Sequence, residues 1–243
     1  CQLVVLDKNK KVIRSYGDKE KTKIEWESGM NHFTWDLRYP DSEREEGMVL
    51  WNGVPSGLVA PPGQYFFRVK VGQDSTDIAF EIKSNPNYSL SQEGYDQQFQ
   101  LLSEIKQSFE DVQKLIHDVR DLRTQIKAYI KQLGDKCPPE LKLMGDTIVN
   151  QLTSIEETCY QTKAKSSQDV LNYPIRLNDK LSGLFDVVNS GVNAPSKQSR
   201  EVFEELNRQV KAQIDNLNSI KNGALVQFNE FIRNKALPTI IVN

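Results

Sequence analysis

The chain has 243 residues, of which 38% are hydrophobic and 26% charged, a composition typical of a folded globular protein and not of a disordered or low-complexity one. Its formal net charge is −2, with acidic and basic residues nearly balanced on both sides of residue 85, so no basic surface indicates nucleic acid or an anionic membrane as a partner. No run of about 18 apolar residues occurs, and we therefore predict no membrane span.

The spacing of apolar residues changes abruptly near residue 85. Before this point apolar residues alternate with polar ones, as in strands buried on one side, and after it they recur every three or four residues, as in amphipathic helices. The sequence therefore predicts a multidomain chain of α and β class. We place a β module at residues 1–85, a helical module at residues 89–236 and an apolar tail at residues 237–243.

The first module contains six segments with strand character, separated by turns rich in proline and glycine. Short strands of this kind without a helix favour an Ig-like antiparallel β-sandwich. Two strands are predicted at residues 2–6 and 12–16, joined by a turn at residues 7–10. The apolar faces of the other four are formed by Ile24 and Trp26; Phe33, Trp35 and Leu37; Tyr65, Phe67, Val69 and Val71; and Ile78, Phe80 and Ile82. Trp26 and Trp35 are predicted to be core residues.

The second module predicts four amphipathic helices, whose apolar stripes need one another to be buried. An antiparallel four-helix bundle is the economical arrangement. The apolar tail is expected to return as a short strand or plug against another element or an upstream domain. The predicted helix starts are Ser89 or Ser91, Pro138-Pro139, Pro174 and the residues after Pro195, and the predicted stops are Gly134 after the first helix and Pro238 after the fourth.

Two phrases in the first module carry a family resemblance: Gly29-x-Asn31-x-Phe33-x-Trp35-Asp36-Leu37-Arg38-Tyr39-Pro40 and Ala60-Pro61-Pro62-Gly63-Gln64-Tyr65. They resemble the Ig-like domain that follows the β-propeller in secreted bacterial proteins with BNR/Asp-box or sortilin-like repeats. They are similar, more distantly, to the Ig-like domain of flagellar hook-capping proteins, which have Trp-Asp-Gly at the position of Trp35-Asp36-Leu37. Phrases similar to the helical region of the propeller family are Ser91-Gln92-Glu93 with Gln97 and Phe99, residues 171–181, and Asn193-Ala194-Pro195-Ser196.

The resemblance implies a secreted or periplasmic protein of the bacterial cell envelope, with an upstream β-propeller in the same chain as a partner. The helices would offer a surface to a protein partner or to a second copy. Cys1 lies inside an apparent strand, which predicts a fragment of a longer protein. On this interpretation the segment is a non-catalytic accessory region, and any glycoside hydrolase activity of the parent protein would be located upstream.

The residues themselves specify no chemistry. Phosphate-binding, dinucleotide-binding and nucleophile-elbow motifs are absent from the sequence, and His117 lacks a His or Glu at the spacing of a helical zinc motif. We interpret His32 and His117 as surface residues, assign no catalytic, cofactor-binding or metal-binding residue, and expect no cofactor. Cys137 and Cys159 fall at opposite ends of a predicted helix, about 30 Å apart, which excludes a disulfide between them.

Two alternative functions remain open. The loop from Tyr39 to Pro62 contains Trp51 with Glu43, Glu45 and Glu46, which could complete a glycosidase-like site as aromatic platform and acid. The sandwich could instead bind carbohydrate. We favour packing over ligand binding for Trp51, a solvated loop for the acids, and a structural role for Asp36 and Arg38 in fixing the loop that follows them.

Overall fold

The structure, a computed structural model, describes residues 1–17, 22–24 and 26–237. It is a mixed α and β protein with an antiparallel sheet followed by helices. The chain forms two compact units that are interleaved along the sequence. Unit 1 comprises Cys1–Ser42, Pro55–Glu104 and Val187–Lys197, and unit 2 comprises Glu43–Val54, Ile105–Asp186 and Gln198–Asn243. These bounds differ from the predicted division at residue 85. Residues 238–243 of the predicted tail lie outside the described residues.

Unit 1 contains a four-stranded antiparallel sheet in the order β2-β1-β3-β4. The strands are β1 (Gln2–Leu6), β2 (Val12–Gly17), β3 (Gly63–Val71) and β4 (Asp74–Ile82). The turn between β1 and β2 forms where predicted, because the carboxylate of Asp7 accepts the backbone N–H groups of Asn9 and Lys11 at 2.8 and 2.9 Å. Gly72, at φ +60°, occupies the first position of the two-residue turn that joins β3 to β4.

The strand predicted from Phe33 to Leu37 is wrong, and around Ile24 and Trp26 the described residues 22–24 and 26–28 belong to no strand, while Glu25 lies outside the described residues. Among the described residues 22–24 and 26–62, the only ladder contacts are isolated bridges, between Tyr16 and Thr22 and between Arg38 and Val59. Local hydrogen bonds occupy this backbone instead: the side chain of Asn31 both accepts from Glu27 N–H and donates to its carbonyl. An extended loop places alternate side chains on the core as a strand does, which explains the misleading alternation.

One hydrophobic cluster of unit 1 contains Leu3 and Val5 of β1, while Val4 and Leu6, which point to the opposite face of that strand, are buried as well. The buried members of this cluster are Leu3, Val5, Ile13, Tyr16, Trp35, Ala60 and Tyr65. Trp35 is only 6% exposed, which confirms its prediction as a core residue, and Trp26 is half-buried against the same cluster. Phe67 and Phe80 stack across the β3/β4 pair with ring centroids 4.4 Å apart, and Trp35 meets each of them edge-on. These contacts fix the loop onto the sheet without backbone pairing.

Five helices follow the sheet within the described residues. They are α1 (Gln92–Leu133), α2 (Pro139–Cys159), α3 (Leu177–Asn189), α4 (Lys197–Asn222) and α5 (Ala224–Asn234). The first three begin close to the predicted starts, and α1 ends at Gly134 as predicted, with φ +52° at that glycine. None of the described helices combines the length and apolarity that crossing a bilayer needs.

The fourth predicted helix is interrupted at Gly223. Gly223 has φ −115° and ψ −92°, so α4 and α5 are separate helices. In α5 Phe228 and Ile232 are buried and Phe231 is half-buried. The end of α5 is capped by Ala236, at φ +47°, and by a hydrogen bond from Leu237 N–H to the carbonyl of Ile232.

Unit 2 buries the apolar stripes that the sequence predicts. Fully or almost fully buried residues are Ile105, Phe109, Val112, Ile116 and Val119 of α1, Leu141, Ile148 and Leu152 of α2, Leu181 and Phe185 of α3, and Leu206 and Val210 of α4. At Gly145 of α2 the absence of a side chain admits Ile130 and Phe228, so α1 and α5 approach α2 closely there. Residues 43–54, which also belong to unit 2, contribute Met48 and Leu50 to its buried residues.

Candidate functional site: an anchored loop and a groove

The predicted loop from Tyr39 to Pro62 is a short antiparallel stem with a long tip. In unit 1, Tyr39 N–H donates to Leu58 O at 2.9 Å, and Ala60 N–H donates to Leu37 O at 2.7 Å. The stem continues to Ser42, whose N–H donates to Pro55 O at 3.1 Å. The tip, Glu43–Val54, belongs to unit 2 and is called the anchored loop below.

Asp36 and Arg38 fix this stem, as predicted. The carboxylate of Asp36 accepts the backbone N–H of Arg38 at 3.0 Å and an ion pair from Arg14 at 3.3 Å. Arg38 donates from Nη1 to the carbonyl of Gly57 at 2.8 Å. Trp35 contributes a hydrogen bond from its indole N–H to Arg38 O at 3.0 Å. Both charged residues are therefore used in the structure of unit 1.

Asp179 of α3 holds the anchored loop by its backbone. Its carboxylate accepts the N–H of Trp51 at 3.0 Å and that of Asn52 at 2.9 Å, while the Asn52 side chain donates to Asp179 O at 2.9 Å. Asp179 is only 5% exposed. An acid in the first turn of a helix is favoured by the helix dipole, and here it satisfies two loop donors as well.

Other parts of the helices bind the same loop. Ser182 donates its hydroxyl to Gly53 O at 3.0 Å, and the hydroxyl of Tyr160 accepts the N–H of Val49 at 3.0 Å. Met48 and Leu50 are buried. The anchored loop is thus a packed part of unit 2, with apolar side chains inside and backbone groups paired.

Two of the candidate acids, Glu45 and Glu46, lie in the part of the loop that contacts α1. Glu45 meets Nδ1 of His117 at 3.1 Å, and its backbone N–H donates to the side chain of Gln113. Arg120 donates to the backbone carbonyl of Glu46 at 3.3 Å. The side chains of Glu43 and Glu46 are exposed. The structure therefore places Glu45 in an ion pair with α1, and Glu46 contacts the same helix through its backbone.

A buried ion-pair network lies in α1 and α2. Glu156, with a side chain only 4% exposed, binds Arg120 Nε at 2.7 Å and Arg123 Nη1 at 2.5 Å. The guanidinium of Arg120 also lies over the ring of Tyr160, the residue that accepts from the anchored loop. The buried carboxylate thus orients an arginine that contacts the loop.

The two predicted surface histidines are exposed, but His117 has partners. Glu45 raises the pKa of His117 above its usual value of 6.5, chiefly by hydrogen bonding, and Asp121 and Asp118 act in the same direction. Trp51 is 46% exposed although its backbone N–H is held by Asp179. Among the described residues, no three His, Cys, Asp or Glu side chains are arranged to hold a metal ion.

Unit 1 also contains a groove of about 530 Å³. It is lined by Arg38, Val59, Ala60, Pro61, Pro62, Tyr88, Tyr95, Gln98, Phe99, Leu102, Asn189, Ser190, Gly191, Val192 and Asn193. Residues far apart in the sequence therefore converge here. The sequence does not indicate this groove, because its lining residues come from separate segments, each of which has a local structural explanation.

Asp179 was also missed as a site residue. It occurs in the phrase at residues 171–181, next to the buried Asn178. An Asn-Asp pair just inside a predicted helix start is an ordinary capping signal, and nothing in the sequence indicates that the acceptor is used by a loop elsewhere.

Comparisons with protein-family models, with curated proteins and with solved structures gave no match to this chain. The resemblance to propeller-associated Ig-like and helical regions therefore stays a prediction.

Proposed function

We propose that the chain is a non-catalytic accessory region of a secreted or periplasmic β-propeller protein, in which it supports the propeller and presents helices for assembly or partner binding. The proposal includes an Ig-like sandwich at residues 1–85, in which the irregular segment carrying Trp35 covers the sheet. It also includes an antiparallel four-helix bundle at residues 89–236.

One observation carries the proposal: Asp179 and Ser182 of α3 hold the backbone of the anchored loop by hydrogen bonds. The anchored loop carries the three candidate acids Glu43, Glu45 and Glu46. Its backbone is nevertheless bound by α3 at residues 51–53. A loop so fixed is suited to stabilise a unit, and Glu45 already serves an ion pair to His117. The family resemblance of the surrounding phrases supports the accessory role.

The test is to compare the parent protein with and without residues 1–243. We expect substrate turnover to be retained while assembly or envelope localisation is lost. Loss of turnover with unchanged thermal stability of the remainder would contradict the proposal. Repeated Asp boxes in the sequence immediately upstream of Cys1 would support the propeller context, and a different upstream domain would remove it.

Trp51 favours a second candidate function, carbohydrate binding, alone or as part of a hydrolytic site. Trp51 is 46% exposed on a loop whose backbone is fixed, and an aromatic ring held in this way is a suitable platform for a sugar ring. Trp51→Ala should then abolish glycan binding while the chain stays folded, because the backbone contacts of the loop do not use the indole. Silence of the whole chain on a glycan array would dispose of this candidate.

A further inference from the structure

The groove of unit 1 has the size and wall chemistry of a small-ligand site. Its volume of about 530 Å³ lies within the range of roughly 300–1,000 Å³ that such sites occupy. Tyr95 and Phe99 occur one helical turn apart in α1, and Tyr88 adds a third ring that is 50% exposed. Pro61 and Pro62 complete an apolar wall, which favours a ligand with an aromatic or aliphatic body.

A single charge distinguishes this groove. Of the described residues that line it, Arg38 alone carries a formal charge. Arg38 uses Nη1 to hold Gly57 O, while its Nε and Nη2 donors have no hydrogen-bond partner among the described residues. Two adjacent guanidinium donors match the two oxygens of a carboxylate. The charge of the groove is therefore complementary to one negative group.

The part of the groove formed by Gln98 and residues 189–193 is fixed by hydrogen bonds within the protein. The side-chain amide of Gln98 donates to Val188 O at 2.8 Å and to Gly191 O at 2.6 Å, and the hydroxyl of Ser190 donates to Val187 O at 2.9 Å. Phe99, which also lines the groove, is held against the ring of Tyr39, with ring centroids 5.1 Å apart. A site fixed in this way loses little conformational entropy on binding.

We propose that this groove binds a ligand with an aromatic or apolar body and one carboxylate, which Arg38 receives. Small aromatic acids and the carboxyl terminus of a peptide share this chemistry. The inference goes beyond the accessory function and does not depend on it, because it rests on residues of unit 1 alone.

The experiment is a titration of the nitrogen-15-labelled full chain, followed by amide chemical shifts. The probes are 3-phenylpropanoate, its neutral amide, the tripeptide Ala-Pro-Phe with a free carboxyl terminus, and the same tripeptide amidated. We expect the acids to shift amides at residues 59–62, 95–102 and 189–193, and the neutral forms to bind more weakly by roughly tenfold. Stronger binding by the free tripeptide identifies a peptide terminus, and stronger binding by the small acid identifies a metabolite-sized ligand.

Substitutions at Val59, which pairs with Arg38 in an isolated bridge, test the role of charge while Arg38 itself is kept. Val59 lines the groove and is 48% exposed, so Val59→Glu should fold and should lower affinity for the acids by roughly tenfold through repulsion, whereas Val59→Lys should retain or increase it. Val202→Glu on α4, also at 48% exposure but outside the groove, is the matched control. Tyr88→Ala removes part of the aromatic wall and provides a second variant.

Three results would overturn the proposal. Equal binding of the acids and their amides would remove the role of the charge. Unchanged acid binding in both Val59→Glu and Tyr88→Ala would place the ligand elsewhere. Absence of shifts at the groove residues with millimolar probes would show that the groove takes no such ligand.

Discussion

The carboxylate of Asp179 accepts the backbone N–H of Trp51 at 3.0 Å, although the two residues are 128 positions apart in the sequence. Asn52 shares the same carboxylate. One helix-start acid therefore satisfies two consecutive donors of a distant loop, and the loop becomes part of unit 2 through it.

Asp179→Ala should destabilise unit 2. Two loop N–H groups would lose their acceptor while the loop stays packed by Met48 and Leu50, which costs about 2–4 kcal/mol in the free energy of unfolding. Urea unfolding measures the loss, and hydrogen exchange at Trp51 and Asn52 localises it. Asp215→Ala, an exposed acid on α4, is the control. Unchanged exchange at both loop amides would show that Asp179 does not hold the loop.

Glu156→Ala should also be strongly destabilising. It removes the buried carboxylate shared by Arg120 and Arg123, whose side chains are 27% and 21% exposed and so only partly rehydrate. Breaking such a network costs roughly 3 kcal/mol, measured by urea unfolding. The neighbouring Glu157 is exposed, and Glu157→Ala should change stability by less than about 0.5 kcal/mol. Similar losses in the two variants would argue against a buried network.

Cys159 should be inert in the folded chain. Burial, with a smaller contribution from the Glu156 carboxylate, raises the pKa of its thiol to about 12, so almost no thiolate exists at neutral pH. In a Cys1→Ser, Cys137→Ser variant, the remaining thiol should react with a disulfide reagent only at the rate of unfolding. Rapid stoichiometric reaction without denaturant would show that this part of α2 opens.

His117 should make stability depend on pH. Glu45 raises the folded-state pKa of His117 above 6.5, with Asp121 and Asp118 adding to the shift, so the folded state binds the proton more tightly than the unfolded state. The resulting stability is fully present below pH 6.5 and is lost as the pH rises through the folded-state value. His117→Gln should therefore cost more stability at pH 5.5 than at pH 8.5.

The control for this pH dependence is Glu45→Gln. It removes the largest cause of the shift, so the pKa of His117 measured by NMR titration should fall toward its usual value. If the destabilisation by His117→Gln were equal at the two pH values, the ion pair to Glu45 would not contribute to folding.

Gly57→Ala should disrupt the stem of the loop. A side-chain carbon at Gly57 would overlap the backbone carbonyl of Tyr39, which cannot move without breaking its pairing with Leu58. We expect a loss of about 2 kcal/mol, measured by thermal or urea unfolding. The exposed neighbour Ser56 provides the control, because Ser56→Ala adds no atoms to the contact. A fully stable Gly57→Ala variant would contradict the close approach.

The helices were predictable because their signals are local. The apolar spacing of α1 continues over its whole length and stops at Gly134, and the prolines before α2, α3 and α4 fall near their starts. The break at Gly223 was not predictable, because one glycine lowers helix stability by only about 1 kcal/mol and the apolar spacing resumes after it.

The irregular segment and the site depended on distant contacts. Trp35 alternates with polar neighbours as it would in a strand, but its contacts are rings of β3 and β4, and no local signal separates the two cases. Likewise, nothing in the sequence near Trp51 indicates that the backbone of its loop is hydrogen-bonded to α3. The sequence shows which side chains are apolar, whereas the pairing of Asp179 with loop amides is a property of the assembled unit.

The reach of the anchored loop has a consequence for synthesis on the ribosome. The hydrogen-bond partner of Val49 is Tyr160, which is synthesised 111 residues later. The partner of Gly53 is Ser182, which is synthesised 129 residues later. Until α3 leaves the exit tunnel, the backbone groups of Trp51, Asn52 and Gly53 lack their partners on that helix, and Met48 lacks its contact with Asn178. The anchored loop can therefore reach its final position only after α3 has been synthesised, and a chaperone that binds residues 48–50 before then should raise the folding yield.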